Sequence, residues 1–391
     1  MRLPGRVAAV IGILAPVLNG SQVETEVATW SRRNRYAGSS DRSAIRDILY
    51  DILRRRDEYA FLGGDLSPRA LALGWTRANS HTVDDIFGDD RFAPSAVTDD
   101  ETCKFGDLCV AKARAWPNMP PWIADLFVEE YGAEARSVFE VLSQRAPTDI
   151  RINRAKVSVE HVAAALREDG ISFEAIDIEG ALRIAPGSRG LSQSASYENG
   201  HFEFQDAHSQ QLCNSIPLDR VTTVLDFCAG GGGKALALAS RRPDLEISAW
   251  DINRKRMSDI PGRAARAGSS ITVLGRDPSS TEIKYDLVVL DVPCSGSGSW
   301  RRDPFGKWSL TEERLSELVH IQAEVLKKAA PLVKIGGRLA YITCSVLKME
   351  NEDQIAGFVS GPETWHVRSQ SRLHLSGLGD GFFLCILDRQ S

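Results

Sequence analysis

With 391 residues, 43% of them hydrophobic and 25% charged, the chain has ordinary globular composition and is too long for one simple core, so two or three domains are expected. The formal net charge of −5, from 47 Lys and Arg against 52 Asp and Glu, gives no whole-protein signal of nucleic-acid binding, so any such surface must be local. Seven cysteines without framework spacing argue for thiols in a reducing compartment rather than disulfides, and Cys103 and Cys109 do not have zinc-site spacing, so no metal is expected.

Taken in chain order, Arg2 and Arg6 precede the apolar run VAAVIGILAPVL and together mimic a signal peptide. That reading is rejected, because Val7, Val10, Ile11, Leu14 and Leu18 share one helical face, no A-x-A-like site follows, and the run is too short to span a bilayer. A cytoplasmic location without membrane attachment is expected. Ile45, Ile48, Leu49, Ile52 and Leu53 fall on one face of a helix for which Asp41 is a candidate cap, and residues 1–120 read as a helical domain with a loop at 80–107. PNMPPW at 117–122 is a natural boundary. Residues 121–215 read as a small α/β module: a helix near 122–145, a strand at IRIN, a helix from Val159 to Glu168 stopped by Gly170, then ISFEAI and ALRIA. The turn-rich stretch 186–200 leads to a last domain, 216–391. There TTVLDF, EISAWD, ITVLG, YDLVVLD, GRLAYITCS and GFFLCIL alternate with helical segments, including a long amphipathic one at 311–333, which predicts a mainly parallel sheet with helices on both faces.

Three basic runs are candidate RNA contacts: Arg32, Arg33, Arg35, Arg42 and Arg46 with Arg54 to Arg56; Arg254, Lys255, Arg256, Arg263 and Arg266; and Arg301, Arg302 and Lys307. Each run reads equally well as a solvated face.

The segment Val224 to Lys234 is a buried strand running into four consecutive glycines and a helix, a geometry that lets a ligand approach backbone N–H groups. A P-loop is excluded, because Cys228 stands where its first glycine would be and Ala235 follows Lys234. Gly230, Gly232 and Ala235 do satisfy G-x-G-x-x-G/A, and Asp251 after the next apolar run suits a ribose, so a dinucleotide and S-adenosylmethionine both stay open. Asp277 and Asp291 follow the next two apolar runs on the same expected sheet edge.

Cys294 in DVPCSGSGSW and Cys344 in AYITCS both fall at expected strand ends facing the ligand crevice, whereas Cys385 in FFLCIL reads as a buried, unreactive thiol. A phosphatase loop would need Arg where Trp300 stands, and no histidine in these segments could activate a cysteine as in a protease.

LDFCAGGGGK, AWDINRKR, LDVPCSGSG with its downstream KW, and TCSVLKMENE are similar in order and spacing to the motifs of RNA 5-methylcytosine methyltransferases, above all the bacterial type acting on small-subunit ribosomal RNA. GHFEFQDAHSQ and RAPTDIRINRAK extend the likeness, and the helical N-terminus resembles a NusB-like RNA-binding domain. The chain departs from the family in reading CAGGGGKA where CAAPGGKT is common. The resemblance implies an α/β fold: a Rossmann-like class I methyltransferase sheet preceded by a small α/β module and an all-α NusB-like domain. It further implies S-adenosylmethionine as cofactor, RNA as partner, 16S ribosomal RNA as target, and a monomer.

Carbon 5 of cytosine is too poor a nucleophile to take a methyl group unaided, so a thiolate must first add to carbon 6. By resemblance Cys344 is that nucleophile, Cys294 serves release after carbon 5 loses its proton, and Asp291 and Lys234 complete the catalytic set. Cofactor contacts are expected from Cys228, Ala229, Gly230, Gly231, Gly232, Gly233 and Lys234, from Asp251 on the ribose, from Asp277 on the adenine amine, and from Arg256 and Asp291. Trp300, Phe305 and Trp308 are candidates for stacking on a flipped base, with core packing the competing reading. A transfer-RNA enzyme, a nicotinamide-dependent oxidoreductase and an inactive RNA-binding protein are the alternatives.

Overall fold

Apolar residues at helical spacing fold the N-terminal part of the chain into packed helices. In the computed structural model, which describes residues 1–361 and 365–390, the helix Leu3–Leu18 buries Val7, Val10, Ile13, Leu14 and Val17. Ile11 and Leu18, placed on that face by the sequence, are only partly buried. The helix Ser39–Arg54 buries Ile45, Ile48, Leu49, Ile52 and Leu53. Its N-cap is Gly38 rather than Asp41. Asp41 lies in the first turn, where it receives the Gly38 amide at 3.3 Å and pairs with Arg6 at 2.8 Å and the N-terminal ammonium at 2.9 Å.

These helices belong to one compact unit, Met1–Arg145, which also takes in the distant segment Trp300–Leu310. The last carbonyls of a helix have no partner within it. Here the Trp308 indole donates to the Leu53 carbonyl at 2.7 Å and Lys307 Nζ to the Arg54 carbonyl at 2.9 Å, while Arg54 Nε donates to the Arg301 carbonyl at 2.8 Å. Trp300 stacks on Phe127 with centroids 5.8 Å apart, Phe305 joins the helical core, and Arg56 lies 3.4 Å over the Trp308 ring. Trp300, Phe305 and Trp308 are therefore packing residues of this unit, which corrects their assignment as base-stacking candidates. Arg301 and Lys307 are buried too, so of the third basic run only Arg302 faces solvent.

The second unit, Ala146–Ser299 with Thr311–Ser391, holds two sheets. The smaller is built from β1 (Thr148–Ile152), β2 (Phe173–Ala175), β3 (Ala181–Ile184) and β4 (Phe202–Phe204), all antiparallel in the order β2-β3-β1-β4. The helix Val159–Glu168, capped by Ser158, packs Val162, Ala163 and Leu166 onto it.

The larger sheet contains β5 (Thr223–Asp226), β6 (Glu246–Ala249), β7 (Ile271–Val273), β8 (Tyr285–Asp291), β9 (Val333–Thr343), β10 (Trp365–Leu373) and β11 (Phe382–Arg389), in the order β10-β11-β9-β8-β5-β6-β7. From β9 to β7 neighbours run parallel, and the central strands β5, β8 and β9 carry apolar runs that pack into cores on both faces. β11 pairs antiparallel with β9 and β10 with β11, an edge that the sequence pattern missed because the solvent side of β10 is polar. The segment expected to be helical at 311–333 is the helix Glu312–Ala329, capped by Thr311. Strand order reverses between β5 and β8, and a doubly wound sheet opens its ligand crevice at the carboxyl ends of such strands. Among the described residues no helix is long and apolar enough to cross a membrane, and no group of three His, Cys, Asp or Glu could hold a metal ion.

Candidate active site

The site begins where β5 ends. Phe227 N donates to the Val289 carbonyl at 2.9 Å and Ala229 N to the Trp250 carbonyl at 2.9 Å, which pins the outgoing chain to both neighbouring strands. Gly230 and Gly232 then take φ of 51° and 78°, a left-handed backbone that favours glycine, and the helix Gly233–Arg241 follows. A Cβ added at Gly233 would meet nothing within 4 Å, so the turn presents open backbone at the start of a helix.

Asp251, two residues beyond β6, closes this turn. Its carboxylate accepts Gly230 N at 2.9 Å and Asn253 N at 2.8 Å, and Arg256 lies 3.4 Å away. An ionised carboxylate has about four acceptor positions, so two amides leave room for ribose hydroxyls. Asp277 behaves differently. It lies four residues past β7, caps a short turn through Ser279 N at 2.9 Å, and pairs with Lys328 at 2.5 Å. Burial raises the Asp277 carboxyl, but Lys328 and Ser279 outweigh it and hold the group below its usual range. No contact ties Asp277 to the glycine turn.

Asp291 ends β8 and receives Lys234 Nζ at 2.5 Å from the first turn of the helix Gly233–Arg241. Burial pulls the Lys234 ammonium down, yet Asp291 and the nearby thiols more than offset that, so its net shift is upward. Beside this pair, Cys294 and Cys344 bring their sulfurs to 3.4 Å, although 50 residues separate them. The hydrogen bond raises Cys294 well above an ordinary thiol, helped by burial and the nearby Glu350 carboxylate, and lowers Cys344, helped by Lys234 and Ser299 against burial and Asp291. Either sulfur can donate in this contact, and the surroundings favour the anion at Cys344 over Cys294. Their loops meet because Gly298 donates to the Cys344 carbonyl at 2.9 Å and accepts from Gly381 N at 2.8 Å. A Cβ at Gly298 would sit 2.1 Å from the Gly381 carbonyl oxygen.

Two acids escaped the sequence reading. Asp226, the last residue of β5, is buried with neither oxygen in a hydrogen bond of normal geometry. Burial, then the Asp291 charge, push it up to about 7, with the Ala235 amide pulling weakly the other way. Glu350 is fully buried among donors from both cysteine loops. Its only signal was its place in TCSVLKMENE, since an acid in a polar turn ordinarily reads as solvent-exposed.

Comparison with known proteins gives two family matches, "16S rRNA methyltransferase RsmB/F" over residues 216–382 and "Methyltr_RsmF/B-like, ferredoxin-like domain" over 119–188. Ribosomal RNA small subunit methyltransferase B of Escherichia coli (strain K12) is 33% identical over 278 residues, covering 68% of this chain and 65% of its own length. The chain belongs to the RsmB/F methyltransferase family. The stretch shared with these RsmB relatives spans just under two thirds of their length, and the counterpart from Shigella sonnei (strain Ss046) is 32% identical over the same share. The nicotinamide reading of the glycine turn finds no support in either RsmB/F match. The fold is that of solved Rossmann-like methyltransferases. A protein solved as PH0851 covers 100% of this chain at 22% identity and a TM-score of 0.75, with 99% of its own chain matched. NSun6 from Pyrococcus horikoshii, solved with SFG, matches 70% of this chain and 98% of its own at 17% identity and a TM-score of 0.62.

Proposed function

We propose that this RsmB/F family member methylates carbon 5 of a cytosine in RNA, 16S ribosomal RNA being the first candidate, through a covalent bond from Cys344 to carbon 6. The observation that carries the reading is the 3.4 Å thiol pair beside the Lys234–Asp291 ion pair, at the carboxyl end of β8 and β9.

S-adenosylmethionine, when bound, supplies an electrophilic sulfonium methyl group. The glycine turn, its helix N-terminus and the spare acceptor capacity of Asp251 fit such a group, and the residues we assign to it are Cys228 to Lys234, Asp251, Arg256, Asp277 and Asp291. The helical unit, NusB-like by resemblance, we assign to holding RNA.

Cys344, held as the more acidic thiol, adds its sulfur lone pair to carbon 6. The electrons displaced from the carbon 5–carbon 6 bond run toward ring nitrogen 3, where a donor held by the Lys234–Asp291 pair stabilises them. Once carbon 5 has been methylated, the Cys344 sulfur is a neutral thioether. Cys294 then loses the thiolate that held its own proton in place, passes that proton to solvent water, and as a thiolate accepts the one on carbon 5. The electrons left behind expel Cys344 as thiolate and restore the aromatic ring. The target base must be unpaired or flipped to be reached.

Labelled S-adenosylmethionine with unmodified small-subunit ribosomal RNA tests the reading after digestion to nucleosides. Wild type is expected to yield labelled 5-methylcytidine and Cys344→Ala none. Transfer to another nucleoside, or undiminished transfer by Cys344→Ala, overturns it; transfer only to transfer RNA moves the substrate.

A further inference from the structure

We propose that Glu350 is a positioning residue of this site, joining the two cysteine loops and deciding by its charge which of the two thiols acts as nucleophile. The inference deepens the proposed function and rests on it for the word nucleophile; the joining of the two cysteine loops by Glu350 stands on geometry alone.

Glu350 has no exposed surface, and its carboxylate is met by four groups from three elements. Ser295 supplies its amide at 2.8 Å and its hydroxyl at 2.5 Å from the loop after β8. Ser345 supplies its hydroxyl at 2.5 Å from the loop after β9. Gln322 donates at 3.0 Å from the helix Glu312–Ala329, and the same amide nitrogen donates to the Pro293 carbonyl at 3.0 Å. Ser295 directly follows Cys294 and Ser345 directly follows Cys344, so one carboxylate grips the chain next to each thiol.

The grip is reinforced on both sides. Tyr341 donates to the Glu350 carbonyl at 2.7 Å, Asn351 bridges Thr343 and the Ser345 carbonyl, and the Ser297 hydroxyl meets Ser345 at 2.9 Å. Removing a carboxylate from such a network leaves buried donors without an acceptor, which is costly for each group.

Charge explains why the group is an acid rather than an amide. The groups facing the sulfurs are Lys234 and Asp291 from the helix Gly233–Arg241 and β8, Ser299 from the cysteine loop, Tyr341 from β9, and Glu350. Among them Lys234 favours an anion at Cys344, and Glu350 disfavours one at Cys294. Two thiols at 3.4 Å share one negative charge at most, and this arrangement sends it to Cys344.

The test is initial-rate alkylation of the full chain by iodoacetamide between pH 6 and 10, with the two cysteine peptides separated by mass spectrometry; it needs neither RNA nor cofactor. In wild type Cys344 is expected to react at lower pH than Cys294. Glu350→Gln keeps most hydrogen bonds but removes the charge, and is expected to cut the preference for Cys344 by about tenfold, one pH unit of thiol acidity. Ser295→Ala keeps the charge and loses the hydroxyl that meets Glu350, Ser345 and the Ser297 amide, and is expected to hold the wild-type preference. Equal profiles for Glu350→Gln and wild type overturn the proposal. So does a wild type in which Cys294 reacts first, which decides the matter even if Glu350→Gln does not fold. Failure of methyl transfer alongside the expected alkylation order would sink the proposed function and leave the unequal thiols standing.

Discussion

Cys344 and Cys294 have the same side chain and 3.4 Å between their sulfurs, so their chemistry differs only through what surrounds each one. The proposed mechanism would turn that difference into a sequence of events: the acidic thiol would attack, and its partner would be released to accept a proton only after the attack had consumed the negative charge. Cys294→Ala should therefore still form the Cys344 bond but fail to discharge it. Incubation with RNA and S-adenosylmethionine is expected to give a protein–RNA species that survives a denaturing gel, absent for Cys344→Ala; no such species from Cys294→Ala would remove Cys294 from the release step. Asp226 makes a second residue-scale prediction. Its folded-state value, about 7, lies above the ordinary 3.8, so the folded chain holds a proton that the unfolded chain has already lost between those values. Stability from this group is accordingly lost as pH rises from about 4 to about 7, by roughly 4 kcal/mol at most over about three units. Asp226→Asn should unfold at higher urea than wild type at pH 8, with a gap that shrinks at pH 4.5, and a gap independent of pH would refute the assignment.

At the scale of elements, the helix Ser39–Arg54 ends on carbonyls satisfied by side chains from Trp300–Leu310 rather than by its own following turn. Lys307 does this from full burial, which pushes its ammonium down to about 7 with Asp57 opposing. An amine depressed on folding carries the opposite sign to Asp226. The unfolded chain holds more protons between about 7 and 10.5, so stability rises with pH across that window. Lys307→Met should flatten this rise in urea-denaturation midpoints taken at pH 7 and pH 9.5, while losing one hydrogen bond worth about 1 kcal/mol at both. An unchanged slope would mean that Lys307 stays charged in the folded state.

For the molecule as a whole, ligand binding and folding are linked. A group that binds only the folded state at 100 times its dissociation constant adds about 2.7 kcal/mol of stability. S-adenosylmethionine should raise the unfolding temperature of wild type. Asp251→Ala, which removes the acceptor between Gly230 and Asn253, should show little or no such rise. An equal rise in both would take Asp251 out of the cofactor site.

The linear order of residues was enough to specify the parallel core of the larger sheet, because strands buried on both faces carry unbroken apolar runs, as Leu287 to Leu290 do in YDLVVLD. It was also enough to mark the glycine turn, Asp291 at the end of β8 and the two cysteines, since tight backbone and reactive groups demand particular residue types. β10 escaped because an edge strand with one wet face has no such uniform pattern. Which distant groups meet was decided only in three dimensions. The 3.4 Å approach of Cys294 to Cys344 depends on β8 and β9 being neighbours in register. The burial of Glu350 depends on donors from two loops and a helix, and the absorption of Lys307 and Trp308 into the helical unit depends on carbonyls some 250 residues earlier. A polar residue declares itself buried only through its partners, and those partners are fixed by tertiary contacts rather than by local sequence.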